Sequence, residues 1–321
     1  MNRLYMFGGA GAFLLLACGL TALAADGQAA PPPVPQNNAT CTTCHDPGGL
    51  EQSRHGNHAD ARTPGCQSCH GASADHLKDP VNAPDVVFGA TSKHLSPADA
   101  RNASCLACHE TKVLPRTNWM GSQHQRRGVA CTDCHQAHTP DQKVLDKRTQ
   151  SDVCFRCHKD QRAQIRRIST HPLASTGLDS KAQMSCADCH NPHGSTGPTL
   201  LIKNSVNETC YTCHAEKRGP FLWEHAPVTD NCANCHTPHG STNPSLLKTR
   251  VPWLCQTCHS GDHGAQINSG ANLAGGNVTT VNGQQTPGAA APRAQLAARA
   301  CLNCHVLVHG SNHPAGAKFQ R

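Results

Sequence analysis

The chain has 321 residues, of which 21 are Cys and 23 are His, yet aromatic residues make up only 3%. A chain of this length ordinarily builds its core from Leu, Ile, Val and Phe; this composition excludes a conventional side-chain core, and something else must fill the interior. The formal net charge of +7 suggests an acidic partner such as nucleic acid, a reading that the cysteine pattern reverses.

Arg3, an apolar run from Tyr5 to Leu20 and the small-residue site Ala22-Leu23-Ala24 predict a secretory leader over residues 1–24, with the mature chain starting at Ala25. The run is too short and too rich in Gly to predict a permanent membrane span. Leu15-Leu16-Ala17-Cys18 offers a second reading, a lipoprotein cleavage site that leaves Cys18 lipidated. Both readings predict export, and no other long apolar segment follows. Residues 25–40, with PPPVPQ, are expected to be a flexible Pro-rich tether ahead of a single domain over residues 41–321.

Ten Cys-x-x-Cys-His motifs then use every cysteine but Cys18. In order they are Cys41, Cys44, His45; Cys66, Cys69, His70; Cys105, Cys108, His109; Cys131, Cys134, His135; Cys154, Cys157, His158; Cys186, Cys189, His190; Cys210, Cys213, His214; Cys232, Cys235, His236; Cys255, Cys258, His259; and Cys301, Cys304, His305. One such motif is a weak signal, because Cys-x-x-Cys also serves thioredoxin-like and zinc sites. Here His follows the pair ten times out of ten, which a zinc array does not require. The pattern is that of c-type haem attachment: two thiols bond to the porphyrin edge and the next residue reaches the iron as proximal ligand. Ten covalent haems supply the missing core, and the haem-free chain is expected to be largely unfolded. Their carboxylates turn the holoprotein negative, roughly −4 with every iron ferric and roughly −14 with every iron ferrous, which removes nucleic acid as a partner. Much of the Lys and Arg then pairs with haem carboxylates, while Arg162, Arg166 and Arg167 fit a solvated helix face.

Ser96-Pro97 predicts the start of a short helix leading into Cys105. Three two-motif repeats follow, with motif starts 23, 24 and 23 residues apart (Cys131 to Cys154, Cys186 to Cys210, Cys232 to Cys255); the first three motifs are a looser version. Residues 264–296 are low in complexity and predict a long surface loop between the ninth and tenth motifs. The Ala-rich stretch from Pro292 into Cys301 predicts a helix. The fold class expected is a multihaem cytochrome c, mostly irregular with short helices and little or no β, an elongated stack of two-haem units.

The second axial ligand decides whether an iron only shuttles electrons or also binds substrate. Past the leader only Met120 and Met184 compete with thirteen His outside the motifs. His138, His193 and His239 stand three residues past a motif, and His124, His171 and His225 precede the three repeats. His55 and His76 flank the second motif, His263 follows the ninth and His309 the tenth. These ten are the candidate distal ligands. A His three or four residues past its own motif is too close to turn back onto the same iron, so it is expected to ligate a neighbouring haem. His58, His94 and His313 remain as spares, exposed or bonded to haem carboxylates. Trp119 and Trp223 are expected to pack on haem edges.

With the motifs laid out, the chain resembles the MtrA-type periplasmic decahaem cytochromes, including their DmsE, MtoA and PioA relatives. The segments SRHGNHADARTPGCQSCHG, WMGSQHQRRGVACTDCHQAH, the two CHxPHGST runs and CLNCHVLVHGSNHPAG carry the likeness over nearly all of the mature chain. The resemblance implies a cytochrome exported to the periplasm and threaded into an outer-membrane β-barrel porin. It also implies bis-His haems that form one wire, and multihaem cytochromes, mineral or iron as partners at the two ends. No long amino-terminal extension of the PioA kind is present.

The leading expectation is therefore an electron conduit between periplasm and exterior, for metal reduction or Fe(II) oxidation, without catalytic residues. The alternatives are a soluble periplasmic electron store, or a multihaem reductase of the nitrite or hydroxylamine type. A reductase needs an iron with a free position, usually on a modified motif, and all ten motifs here end in His.

Overall fold

A computed structural model describes residues 38–56, 64–89, 92–109, 118–175, 184–259, 277–279, 285–287, 301–314 and 316–319. The predicted leader, Cys18, His58, His263 and the Ala-rich residues 292–300 lie outside the described residues.

Each attachment motif is one turn of helix. The His N–H donates to the carbonyl of the leading Cys, for example at 2.8 Å in His135–Cys131 and 2.9 Å in His190–Cys186, His214–Cys210 and His259–Cys255. Residues i, i+3 and i+4 of a helical turn share a face, so both thiols and the imidazole project to one side. Helices are short because each needs only to deliver a motif. The longest described, Ala98–His109, starts directly after Ser96-Pro97 and ends on the third motif. Lys147–Cys154 and Val206–Cys210 likewise run into the leading Cys of the second motif of a repeat. The first motif of each repeat instead opens as a 3-10 turn, Cys131–Asp133, Cys186–Asp188 and Cys232–Asn234. Asp133 and Asp188 stabilise those turns by accepting from the Ala130 and Ser185 amides at 2.8 and 2.7 Å.

The described residues refine three expectations at their edges. The predicted tether ends early, because Asn38–Thr42 is already helical and carries the first motif. Of the predicted helix into the tenth motif only the end is described, and it is a 3-10 turn, Cys301–Asn303. The 264–296 segment contains a two-stranded antiparallel ribbon, Asn277–Thr279 with Gln285–Pro287. Val278, Thr279 and the intervening Asn282-Gly283 are a hairpin signal that a low-complexity reading passes over.

The buried apolar side chains among the described residues are Trp119, Ala130, Val153, Phe155, Ile165, Ala174 and Leu201. Two of these are alanines, and so small a set cannot offset the chain entropy of a domain this size. The backbone is instead laced locally. In the second and third repeats His190 bridges to Leu201 and His236 to Leu247, giving the two CHxPHGST runs the same loop. Units are also stitched to their neighbours, Ser169 to Ser241 and Trp223 to Ser311, by reciprocal main-chain bonds of 2.8–3.1 Å. Gly194 and Gly240 permit close main-chain approaches of this kind. Their φ values are +121° and +145°, and an added Cβ would lie 2.0 Å from the Asn118 carbonyl oxygen and 2.1 Å from that of Gln164.

Candidate functional site: paired histidines along the chain

The structure brings nine motif histidines each against one histidine from outside the motifs. Ring centroids are 5.9 Å apart in His45–His76 and His135–His193, 6.0 Å in His190–His239, and 6.1 Å in His55–His109, His124–His158, His225–His259 and His236–His309. The remaining two are His70–His138 at 6.3 Å and His171–His214 at 6.4 Å. All nine non-motif partners are among the ten histidines that the sequence picks out. The tenth, His263, lies outside the described residues. His94 and His313 enter none of the nine pairs.

The separation is nearly constant while the angle between ring planes runs from 11° in His236–His309 to 87° in His70–His138. Direct ring packing ties separation to angle; here the separation is fixed and the angle is free. Two iron–nitrogen bonds of about 2 Å each, plus about 1.1 Å from each nitrogen to its ring centre, span about 6 Å along one axis. Rotation about that axis changes the angle and leaves the separation alone. The residues therefore fit a porphyrin iron between each pair, with two thiols of one motif beside it.

Ring orientation is set by main-chain carbonyls. A carbonyl only accepts, so each Nδ1 facing one carries the proton and leaves Nε2 as the lone pair for a metal. Among motif histidines, His70 donates to Val86 at 3.0 Å, His190 to Thr199 at 3.0 Å and His236 to Ser245 at 2.8 Å; His305 donates to Lys318. Among their partners, His76 donates to Asn82 at 2.7 Å, His124 to Pro192 and His171 to Pro238 at 2.8 Å, and His225 to Val308 at 2.9 Å. Burial pushes His55, His70, His190, His193, His239 and His309 below the usual imidazole pKa, which favours the neutral form that ligates.

The pairing follows a rule that the sequence leaves open. The first-motif histidine of a unit meets the post-motif histidine of the next unit: His70 with His138, His135 with His193, His190 with His239, His236 with His309. The second-motif histidine meets the one preceding its own unit: His109 with His55, His158 with His124, His214 with His171, His259 with His225. A histidine just past its motif thus reaches the preceding unit rather than its own. The repeat spacing was the available signal, since it makes the same offset recur.

The cysteines give the order of the motifs in space. Leading thiols of consecutive motifs are close enough to perturb one another's ionisation in Cys41–Cys66, Cys105–Cys131, Cys154–Cys186, Cys210–Cys232 and Cys255–Cys301. Second thiols are electrostatic neighbours in Cys69–Cys108, Cys134–Cys157, Cys189–Cys213 and Cys235–Cys258. These thiols stand for the thioether sulfurs of attached haems. Each motif thus neighbours the one before it and the one after it, in sequence order. Of the two tryptophans expected on haem edges, Trp119 is buried with its ring 6.4 Å from that of His193, whereas Trp223 is exposed.

Helical turns carrying two thiols and a histidine, and a second histidine across an iron-sized gap, define a multihaem c-type cytochrome, an electron-transfer protein. Residues 180–219 and 225–264 match the doubled CXXCH motif, and residues 66–150 match the cytochrome c-type protein NrfB-like family. The chain is also 47% identical over 257 residues to the multiheme cytochrome MtrA of Shewanella baltica (strain OS185), covering 80% of this chain and 70% of that one. The chain belongs to the MtrA family of multihaem cytochromes.

Proposed function

We propose that the chain is a periplasmic decahaem conduit, carrying electrons through an outer-membrane porin-cytochrome complex between the periplasm and the cell exterior. The observation that carries this reading is the sequence-ordered adjacency of consecutive motifs, with the two ends at Cys41 and Cys301. Each haem supplies one Fe(III)/Fe(II) couple. The polypeptide holds the ten sites in file through twenty cysteines. His45, His70, His109, His135, His158, His190, His214, His236, His259 and His305 close one side of each iron. His76, His138, His55, His193, His124, His239, His171, His309, His225 and His263 respectively close the other. With imidazole on both sides no iron presents an open position, which disfavours a nitrite or hydroxylamine reductase. Among the described residues no helix is long and apolar enough to cross a membrane. Export through the leader over residues 1–24 completes the assignment. Isolation from outer membranes tests it: co-purification with a β-barrel and a second multihaem cytochrome is expected, and a freely soluble monomer in periplasmic extract would favour an electron store.

A further inference from the structure

The residue three positions before the leading Cys of a motif recurs in a role that haem attachment does not require. Asn38 precedes Cys41, Asn102 precedes Cys105 and Asn207 precedes Cys210 by that interval. The side-chain oxygens of the three serve the next motif. Each Oδ1 accepts from the amide of the next motif's leading Cys: Asn38 from Cys66 at 2.9 Å, Asn102 from Cys131 at 2.8 Å, Asn207 from Cys232 at 2.7 Å. The same side chains also donate. Asn102 Nδ2 reaches the Val129 carbonyl at 3.1 Å, and Asn207 Nδ2 reaches those of Val228 and Thr229 at 2.9 and 3.1 Å. Asn102 and Asn207 are almost fully buried, so both bonds are costly to break.

At the fifth and sixth motifs the place is taken by Ser151, fully buried with its hydroxyl 3.7 Å from the Cys186 sulfur. Its neighbour Gln150 accepts from the Ala187 amide at 3.0 Å. At the ninth and tenth motifs the place is taken by Pro252, whose ring has no donor or acceptor. In each of these five pairs the two leading thiols are neighbours, so a clamp on the leading Cys amide would sit close to where two attached haems approach each other.

We propose that Asn38, Asn102, Gln150 with Ser151, and Asn207 are positioning residues that fix the gap between the two haems of each contact. At the ninth-to-tenth junction Pro252 stands in that place and supplies no such clamp. This rests on the electron-transfer reading but adds something separate to it. Haem attachment and iron ligation define where electrons reside; the clamp defines how closely consecutive sites approach, on which tunnelling between them depends steeply. A purely structural amide cap would leave transfer untouched once all the haems are loaded.

The test uses the full mature holoprotein and the variants Asn102→Ala, Asn102→Ser and Ser151→Asn. For each, haem content and redox titration are measured beside single-molecule conductance. With ten haems and an unchanged titration, Asn102→Ala is expected to lose conductance several-fold. Asn102→Ser, which copies the residue at the fifth motif, should recover part of the loss. Equal conductance in a fully loaded Asn102→Ala overturns the proposal. If Asn102→Ala loads fewer haems, the other two decide: Asn102→Ser below wild type and Ser151→Asn at or above it support the clamp, and both indistinguishable from wild type refute it. Failure of the conduit reading would show earlier and differently, as open or missing haems in the wild-type protein.

Discussion

The loose amino-terminal part and the three tight repeats obey one pairing rule but differ in how they orient their rings. In the repeats the first-motif pairs His135–His193, His190–His239 and His236–His309 are nearly parallel, at 17°, 23° and 11°. Their counterpart in the loose part, His70–His138, is nearly perpendicular at 87°. The cause lies in what holds the motif histidine. His190 and His236 are tied to Thr199 and Ser245 within one short loop. His70 is tied to Val86 across a longer excursion, and Phe88 packs edge-on against it at 5.1 Å. Repetition therefore fixes the ligand and the separation, while the local loop fixes the angle. The two regions share connectivity without sharing electronic geometry.

The most severe way to break this comparison is to delete a site. Replacing Cys186 and Cys189 together by Ala should remove one haem by mass and interrupt the file in the repeats, and Cys66 with Cys69 should do the same in the loose part. Full conduction by either nine-haem protein would refute a single path. Next in size is ligand exchange across units. His193→Ala should open the iron on His135, not the one on His190, giving one carbon monoxide-binding haem. His239→Met should raise one potential, as a His/Met pair does. Unchanged spectra and titrations would contradict the unit-to-unit pairing.

Smaller is the effect of Gly194→Ala or Gly240→Ala, where the new Cβ would meet a neighbouring carbonyl at 2.0 or 2.1 Å. Overpacking of this kind destabilises by about 1–3 kcal/mol, read as a lower denaturant midpoint. Phe88→Ala sharpens the angular contrast: freed of its edge contact, His70 should turn, and the strongly anisotropic paramagnetic signal of its ferric haem should move while the repeat haems stay put. Smallest of all is Lys147→Ala. Its ion pair with Asp188 at 2.8 Å is solvent-exposed on the Lys side, so a change under about 1 kcal/mol is expected, and a larger one would mark Asp188 as essential to the sixth motif's turn.

Much of the site was legible because its chemistry is local. Two thiols and an imidazole on one helical turn need only five residues, so Cys186–His190 reads directly. The partners of the motif histidines were legible as a set, because thirteen histidines with few methionines leave little choice. Their one-to-one assignment was not, because it depends on contacts such as Ser169 with Ser241, between residues far apart in sequence. The angles were hidden for the same reason; nothing in the string CQSCH announces that Phe88 will lean on His70. The ribbon at Asn277–Thr279 was missed because composition outweighed a short turn signal. The clamp residues were missed because a buried Asn in a helix has no signature until its partner is known.

The central claim is that imidazole closes both sides of every iron. The most direct test is the paramagnetic resonance and carbon monoxide reactivity of the purified holoprotein, with haem counted on the same sample. The account predicts ten low-spin ferric haems, a nearly perpendicular subset that includes the His70–His138 and His55–His109 sites, and no carbon monoxide binding when reduced. Several high-spin irons, or several that bind carbon monoxide, would contradict it.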